Sequence, residues 1–244
     1  MTHEFDMSLF SEDYLYFMEQ VLTPEATERG VEAIWTLLEL EPGMEVLDLA
    51  CGHGRIANGL AERGARVTGL DATPLFLERA RRDAAVRGVE VDYVEGDMRS
   101  LPWSERFDRI VSWFTAYGYF DDDDNRRVLG EAHRALRPGG RLLIELNNRD
   151  RILREFRPHH VLERNGDFML QLVEWDAPGS RTRNEWVVIR DGRVRRHPFS
   201  VRMLTFTELR DWLLQAGFGD VAGCDWDGEP LTLETRRMVT IARR

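Results

Sequence analysis

Short apolar runs alternate with longer amphipathic stretches through the first 150 residues of the chain. The runs are rich in Val, Leu and Ile, which is typical of buried strands. The stretches between them carry apolar side chains at helical spacing and are opened or closed by Pro and Gly. This alternation predicts βαβ units and a parallel sheet. The apolar runs are 46–49, 65–70, 89–94, 107–113 and 141–146, and the helical stretches lie near 24–41, 55–63, 74–88 and 125–136.

The pattern changes after residue 150. Residues 168–175, 182–189 and 194–204 predict antiparallel strands, and Asp191-Gly192 is a hairpin signal. A helical stretch follows at 207–216, and two further apolar runs then complete the sheet formed by the first 150 residues. We therefore expect an α/β fold in four parts. These are an N-terminal lid segment (1–23), an α/β core (24–150), an antiparallel insertion over the sheet (151–204) and a C-terminal completion of the core sheet (205–244).

The composition is that of an acidic globular protein. Hydrophobic residues make up 43% and charged residues 31%, and the formal net charge is −10. Because nucleic-acid binders neutralise phosphates with basic patches, this charge predicts no nucleic-acid partner. The N-terminal segment carries acids instead of the basic residues of a signal peptide, and no apolar run reaches the roughly 20 residues of a membrane span. We expect a cytoplasmic protein with no membrane partner.

A glycine-containing loop, Asp48–Gly54, follows the first apolar run. Two glycines in such a turn let the backbone approach a ligand, and the helix that follows favours an anion at its N-terminus. Asp71 closes the second run, where a carboxylate can accept both hydroxyls of a ribose. Asp97-Met98 follow the third, where an acid can accept an exocyclic amine and a thioether can cover a purine. Since parallel strands end at one edge of a sheet, these positions predict a shared ligand site.

These motifs resemble those of the class I S-adenosylmethionine (SAM)-dependent methyltransferases. Residues 46–54 look like the glycine-rich first motif of that family, although Ala50 departs from its Gly run, and 107–111 and 136–140 resemble its motifs at strands four and five. The resemblance implies a Rossmann-like, seven-stranded methyltransferase sheet whose last strand is antiparallel, with an antiparallel β insertion after strand five. It also implies SAM as the cofactor, bound by Ala50, Gly52, Gly54, Arg55, Asp71, Ala72, Asp97, Met98 and Trp113.

Two other function classes compete with this interpretation. Gly52-x-Gly54-x-x-Ala57 also fits the dinucleotide fingerprint of an NAD(P)-dependent oxidoreductase. Against it, Asp48 lies inside the first strand, and all 33 basic residues are Arg, so no Tyr-x-x-x-Lys pair exists. A SAM-binding protein without catalytic activity is the third class.

Two aromatic clusters are candidates for an acceptor site. One lies in the N-terminal segment, and the other, residues 113–120, follows the fourth strand at the edge where a transferable methyl group would sit. Folding of the first over the second would exclude water from the reacting groups. We expect Tyr14 and Tyr117 to position the reacting groups, and the substrate to be contacted by Tyr16, Tyr119, Asn147 and Arg149.

The acceptor is expected to be a small molecule. The resemblance extends to the bacterial small-molecule N-/O-methyltransferases that modify sugars, amino acids and secondary metabolites, in which such an insertion covers the substrate. No Asp–His pair near the motifs offers a general base, which favours an amine or an acidic hydroxyl. We expect no metal: Asp121–Asp124 suits a helix N-terminus, and His159-His160 suits an exposed loop. A homo-oligomer is compatible with the sequence.

Overall fold

The protein is described by a computed structural model that covers residues 7–244. The part of the predicted lid at residues 1–6 therefore lies outside the described residues. The elements in chain order are a 3-10 turn (Met7–Leu9), α1 (Glu12–Met18), α2 (Pro24–Leu37), β1 (Glu45–Leu49), α3 (Arg55–Glu62), β2 (Arg66–Asp71), α4 (Pro74–Arg87), β3 (Val91–Glu95), β4 (Phe107–Ser112), α5 (Asp122–Ala135), β5 (Leu136–Asn147), α6 (Arg149–Arg154), β6 (His159–Arg164), β7 (Asp167–Asp176), β8 (Arg181–Arg190), β9 (Arg193–Arg202), α7 (Phe206–Gln215), β10 (Gly219–Cys224) and β11 (Arg237–Arg243).

Seven strands form the central sheet in the order β10-β11-β5-β4-β1-β2-β3. β1 to β5 are mutually parallel, and β11 is antiparallel to both β5 and β10. Buried aliphatic side chains such as Leu47 and Val46 point to opposite faces of β1 and enter two separate hydrophobic cores. The predicted seven-stranded α/β fold with one antiparallel strand is confirmed.

The helix N-termini follow the chemistry read from the sequence. Thr23 caps α2 by accepting the N–H of Ala26, with Pro24 at the first helical position. Asp121 caps α5 by accepting the N–H of Asp124. Three more acids occupy the first turn of α5, where carboxylates offset the positive end of the helix. Within residues 7–244, no three His, Cys, Asp or Glu side chains converge as a metal site would need.

The predicted insertion is a second sheet of four antiparallel strands, β6-β7-β8-β9, called the insertion sheet below. Asp191 and Gly192 both have positive φ at the β8–β9 turn, as the hairpin signal requires. The prediction of a loop at His159-His160 is wrong: these exposed residues begin β6, because their backbone pairs with Gln171 and Leu172 of β7. No helix in the described part of the chain is long and apolar enough to cross a membrane.

Candidate active site

A cavity of about 640 Å³ opens at the carboxyl ends of β1, β2, β3 and β4. The loops after these strands form its floor, and helix α1 with the residues before it approaches from the opposite side. Parallel sheets bind ligands at this edge because the loops there converge from several strands. Of the predicted cofactor-binding residues, those that line the cavity are Ala50, Gly52, Arg55, Asp71, Ala72, Asp97, Met98 and Trp113.

The glycine loop joins the first two strand ends. Gly52 has a φ of +56° and donates its N–H to Oδ2 of Asp71 over 2.8 Å. The N–H of Thr73 is 2.8 Å from Oδ1 of the same carboxylate. Burial raises the pKa of Asp71, while these backbone N–H donors oppose that rise. The carboxylate is thus oriented at the cavity wall by fixed backbone groups.

Gly54, predicted to bind the cofactor, does not line the cavity. Its φ is +78°, and a Cβ there would lie 2.1 Å from Oη of Tyr93 and 2.7 Å from Cβ of Ala80. Tyr93 also donates a 2.7 Å hydrogen bond to Asn58 of α3. A side chain at position 54 would therefore disturb the packing of α3 against α4 and β3. The predicted cofactor contact of Gly54 stays a prediction.

Asp97 and Met98 line the far end of the cavity beside Arg99. The Arg99 guanidinium binds the Asp97 carboxylate, with Nη2 2.6 Å from Oδ2, and this pairing lowers the pKa of Asp97. Arg99 also donates to Asp124 over 2.7 Å and lies 4.4 Å from the ring centre of Phe120. Asp97 therefore stays ionised and able to accept further hydrogen bonds.

Two opposite charges lie together on the cavity floor. Asp48 is only 2% exposed, its Oδ2 has no partner among the described residues, and burial raises its pKa to about 7. Arg55, at the start of α3, interacts electrostatically with Asp48 and lies 5.2 Å from the ring centre of Phe114. Burial also lowers the pKa of Arg55. Buried charges of this kind need a partner, and the cavity is where a ligand could supply it.

The loop after β4 is held in an unusual backbone conformation. Phe114 and Thr115 are consecutive residues with φ of +64° and +56°, in the left-handed region that side chains rarely adopt. The Glu145 carboxylate, fully buried on β5, accepts the N–H of Phe114 over 2.8 Å and pairs with Arg237 of β11. Arg237 also donates to Thr115 Oγ1 over 2.9 Å. These contacts stabilise the strained turn that forms one wall of the cavity.

Aromatic side chains build the opposite wall. Tyr14 of α1 lies 5.4 Å from Phe76 of α4 and stacks on Trp186 of β8 with ring centres 5.7 Å apart. Phe10 lies 6.0 Å from Tyr119, which also lines the cavity. Burial raises the pKa of Tyr14 to about 12, so its hydroxyl is neutral near pH 7 and can donate a hydrogen bond.

Four predicted acceptor-site residues do not line the cavity. Tyr117 is 1% exposed and donates to the carbonyl of Asn125, because the residues after Thr115 turn it into the core. Tyr16 points away from the cavity and donates to the Arg164 carbonyl of β6. Asn147 pairs with Arg237 and donates its backbone N–H to Thr115, while Arg149 lies over the ring of Trp175. The described structure gives these four side chains other contacts, and their predicted contacts with the reacting groups or the substrate stay predictions.

The sequence predictions left out several residues of the cavity. Asp48 was noted for its place in the strand but not as a site residue, and its carboxylate reaches the cavity because β1 ends at Leu49. Glu145 and Arg237 are 92 residues apart and carry no local signal of their pairing. Of the aromatic lining residues, Phe76 lies outside both predicted aromatic clusters, whereas Phe10, Phe114 and Phe120 lie within them.

Comparisons with known proteins agree with this geometry. Residues 46–140 match a family model described as a methyltransferase domain. A demethylmenaquinone methyltransferase of Thermus thermophilus is 42% identical over 123 residues, which cover 47% of this chain and 54% of that protein. The chain thus spans about half the length of the curated relatives it matches.

Solved structures resemble the chain over nearly its whole length. A SAM-dependent methyltransferase from Clostridium acetobutylicum superposes with a TM-score of 0.79 at 15% identity, covering 95% of this chain and 97% of that one. SAM-bound CalS10, an amino pentose methyltransferase from Micromonospora echinaspora, superposes with a TM-score of 0.69 at 21% identity, covering 98% and 99%. At such identities the likeness shows the fold. The domain match favours a methyltransferase over the NAD(P)-dependent oxidoreductase.

Proposed function

We propose that this chain, whose residues 46–140 match a methyltransferase domain, is a SAM-dependent methyltransferase that transfers a methyl group to a nitrogen or oxygen of a small molecule. The observation that carries the proposal is the charge pattern of the cavity floor. Asp48, whose Oδ2 has no hydrogen-bond partner among the described residues, lies beside the cation Arg55, and a second acid, Asp71, lies at the next strand end. This pattern suits a ligand that combines an amino acid with a ribose.

The residues present fit SAM from one end of the cavity to the other. Arg55 would pair with its carboxylate and Asp48 with its ammonium group, which would give both buried charges a partner. Asp71 would accept the ribose hydroxyls. Asp97 would accept the adenine amine, and Met98 would cover the purine face.

When bound, SAM supplies a sulfonium methyl group for in-line displacement. The protein's part is to position the acceptor and to provide a favourable electrostatic surrounding. Aromatic faces near a cation stabilise it by about 0.5–2 kcal/mol, and Tyr14, Tyr119 and Phe114 provide such faces in the cavity wall. Tyr14 offers a neutral hydroxyl that can orient an acceptor but cannot serve as a base near pH 7.

The acceptor class follows from the bases that line the cavity. His53 is the one His among the described lining residues, and burial lowers its pKa to about 4, which makes it a weak base. An acceptor that arrives as a neutral amine needs no strong base, whereas an alcohol does. We therefore favour an amine or an acidic hydroxyl, and an amino sugar, as in the amino pentose methyltransferase, is one such acceptor.

The experiment has a binding arm and a turnover arm. Calorimetry should show micromolar binding of SAM and of S-adenosylhomocysteine, its demethylated product, and no saturable binding of NADH. A turnover screen with SAM across amine, amino-sugar and phenol libraries should then yield methylated products. Binding without turnover on any acceptor would favour a non-catalytic SAM-binding protein, and NADH binding without SAM binding would contradict the proposal.

The remaining partner and location expectations are proposals of the same kind. The net charge of −10 argues against nucleic acid, which a gel shift at low salt would test. Cys51 and Cys224 are free and buried, as suits a reducing compartment such as the cytoplasm. Tight retardation of RNA or DNA in that gel would contradict the first expectation.

We also propose that two copies pair through the outer face of the insertion sheet. This face measures roughly 19 by 33 Å, or about 630 Å², which is below the roughly 800 Å² per partner of stable interfaces. Leu172→Glu should then convert a dimer into a monomer in light scattering, while Val86→Glu, at an exposed apolar residue of α4, should not. A monomeric parent protein would contradict this. The exposed apolar residues that the strand register places on this face are Val161, Phe168, Leu172, Ile189 and Val194.

A further inference from the structure

Asp13 is a buried acid in the first turn of α1. Carboxylates at this position usually remain in solvent and only complement the helix dipole. Asp13 is instead 7% exposed, and its Oδ1 accepts from Nη1 of Arg190 over 3.1 Å and from Nη2 of Arg195 over 2.9 Å. Oδ2 accepts from Nε of Arg195. The two arginines flank the β8–β9 turn, so one carboxylate holds both sides of that hairpin.

Other polar contacts of α1 and the residue after its C-cap reach the same sheet. The Tyr16 hydroxyl donates to the Arg164 carbonyl over 3.1 Å, and the Arg190 guanidinium lies 3.9 Å from the Tyr16 ring centre. Gln20 donates to the Glu163 carbonyl over 3.1 Å. The Tyr16 ring thus packs against the insertion sheet rather than the cavity.

The contacts of α1 with the central domain are of a different kind. Tyr14 meets Phe76 as a tilted pair with ring centres 5.4 Å apart, and Glu19 reaches Arg79 in a long ion pair of 4.0 Å. Hydrogen bonds and close ion pairs therefore join α1 to the insertion sheet, while ring contacts and one weak pair join it to α4. The helix is therefore attached more firmly to the insertion sheet than to α4, although the sheet is more than 140 residues away in the sequence.

We propose that Asp13 is a positioning residue that fastens α1 to the insertion sheet, so that helix and sheet cover the cavity as one body and fix Tyr14 over it. Tyr14 is the next residue in the helix, and its ring stacks on Trp186 of the same sheet. Loss of the Asp13 charge would leave two half-buried arginines without their shared acceptor and release the helix. The proposal rests on the proposed function only where it concerns SAM.

The first test needs no ligand. Hydrogen–deuterium exchange of Asp13→Asn should show amides of residues 12–18 exchanging about tenfold faster than in the parent, since charged hydrogen bonds of this kind are lost. Amides of β1 and β2 should be unchanged. Glu12→Gln is the matched control, because Glu12 is exposed in the same helical turn and its loss removes the same charge.

The second test measures the hold on the cofactor product. In stopped-flow experiments S-adenosylhomocysteine should dissociate about tenfold faster from Asp13→Asn than from the parent or from Glu12→Gln. Arg195→Gln should act in the same direction, and the double variant Asp13→Asn/Arg195→Gln should be no worse than the more severe single one, as expected for one shared interaction.

The outcomes separate this proposal from the proposed function. Unchanged exchange in α1 and unchanged dissociation in both single variants would overturn the positioning role, even if the parent binds the product well. A parent that binds neither SAM nor its product would overturn the proposed function. The exchange result alone would then decide whether Asp13 fastens α1 to the insertion sheet. If Asp13→Asn also loosens β1 and β2, Arg195→Gln decides, because Asp13 there keeps its bond to Arg190.

Discussion

The floor and the cover of the cavity are built in different ways. The floor is made by strand ends and backbone groups: Gly52 in a left-handed turn, and two N–H groups that hold Asp71. The cover is made by side chains that meet across long stretches of sequence, with Tyr14 stacked on Trp186 and Asp13 bound by arginines. Changes in the floor should therefore act on folding and cofactor binding, and changes in the cover on turnover and cofactor release.

The largest effect is expected at Gly54, which lies behind the floor in the glycine loop. Gly54→Ala places a Cβ against Tyr93 and Ala80 at a φ of +78°. We therefore expect the free energy of unfolding to fall by about 3 kcal/mol or more, or the variant to fail to fold. Thermal unfolding measures this. Gly130→Ala is the control, since Gly130 lies within α5 with open space around it and Ala favours helix. Equal melting temperatures for Gly54→Ala and the parent would contradict the packing role.

The next effect is on cofactor binding at Asp71. Asp71→Asn keeps the shape but removes the charge, so the Kd for SAM should rise about 10–100-fold, as for lost charge-assisted hydrogen bonds. The control is Asp92→Asn, since Asp92 is an acid on β3 with a largely exposed side chain. Comparing the two variants by calorimetry separates the contribution of the Asp71 carboxylate to SAM binding from a general effect of losing one negative charge. A Kd for SAM within twofold of the parent value would rule out a direct role for the Asp71 carboxylate.

A pH effect is expected from Asp48. Its pKa is about 7 in the folded protein against 3.8 for an ordinary Asp, so the folded state holds this proton more tightly. The free energy of unfolding should therefore fall as the pH rises from about 4 through 7. The Asn side chain of Asp48→Asn cannot titrate, so its free energy of unfolding, measured with urea between pH 5 and 8, should decline less steeply than that of Asp211→Asn. Asp211→Asn is the control, because Asp211 is an exposed acid on α7. Parallel declines would show that Asp48 is not the titrating group.

The smallest effects are expected at Tyr14 and Tyr117, for which the sequence predicts the same positioning role. Tyr117→Phe removes a buried hydrogen bond to Asn125, so stability should drop by about 1 kcal/mol while SAM binding is unchanged. Tyr14→Phe should keep the melting temperature and lower turnover a few-fold, once an acceptor is known, because Tyr14 lines the cavity. A change in acceptor KM for Tyr117→Phe at constant stability would reverse this assignment.

The sequence predicts the floor well because its chemistry is local. Asp71 and Asp97 follow strands whose apolar runs are visible in the chain, and parallel pairing brings their ends together without further information. It predicts the cover poorly, since which tyrosine faces the cavity depends on the left-handed turn at Phe114–Thr115. That turn has no Gly, so the residue types there do not predict a left-handed backbone. The turn places Tyr119 in the wall of the cavity and Tyr117 in the core.

The pairing of Glu145 with Arg237 has a consequence for how the protein is made. Glu145 is translated 92 residues before its partner, and the whole insertion sheet is synthesised in between. Until Arg237 leaves the ribosome, the Glu145 carboxylate lacks its arginine partner, and the Phe114–Thr115 turn lacks the hydrogen bond from Arg237 to Thr115 Oγ1. Nascent chains that stop short of β11 should therefore hold an unfinished cavity, and the ability to hold a cofactor should appear late, when β11 docks between β5 and β10.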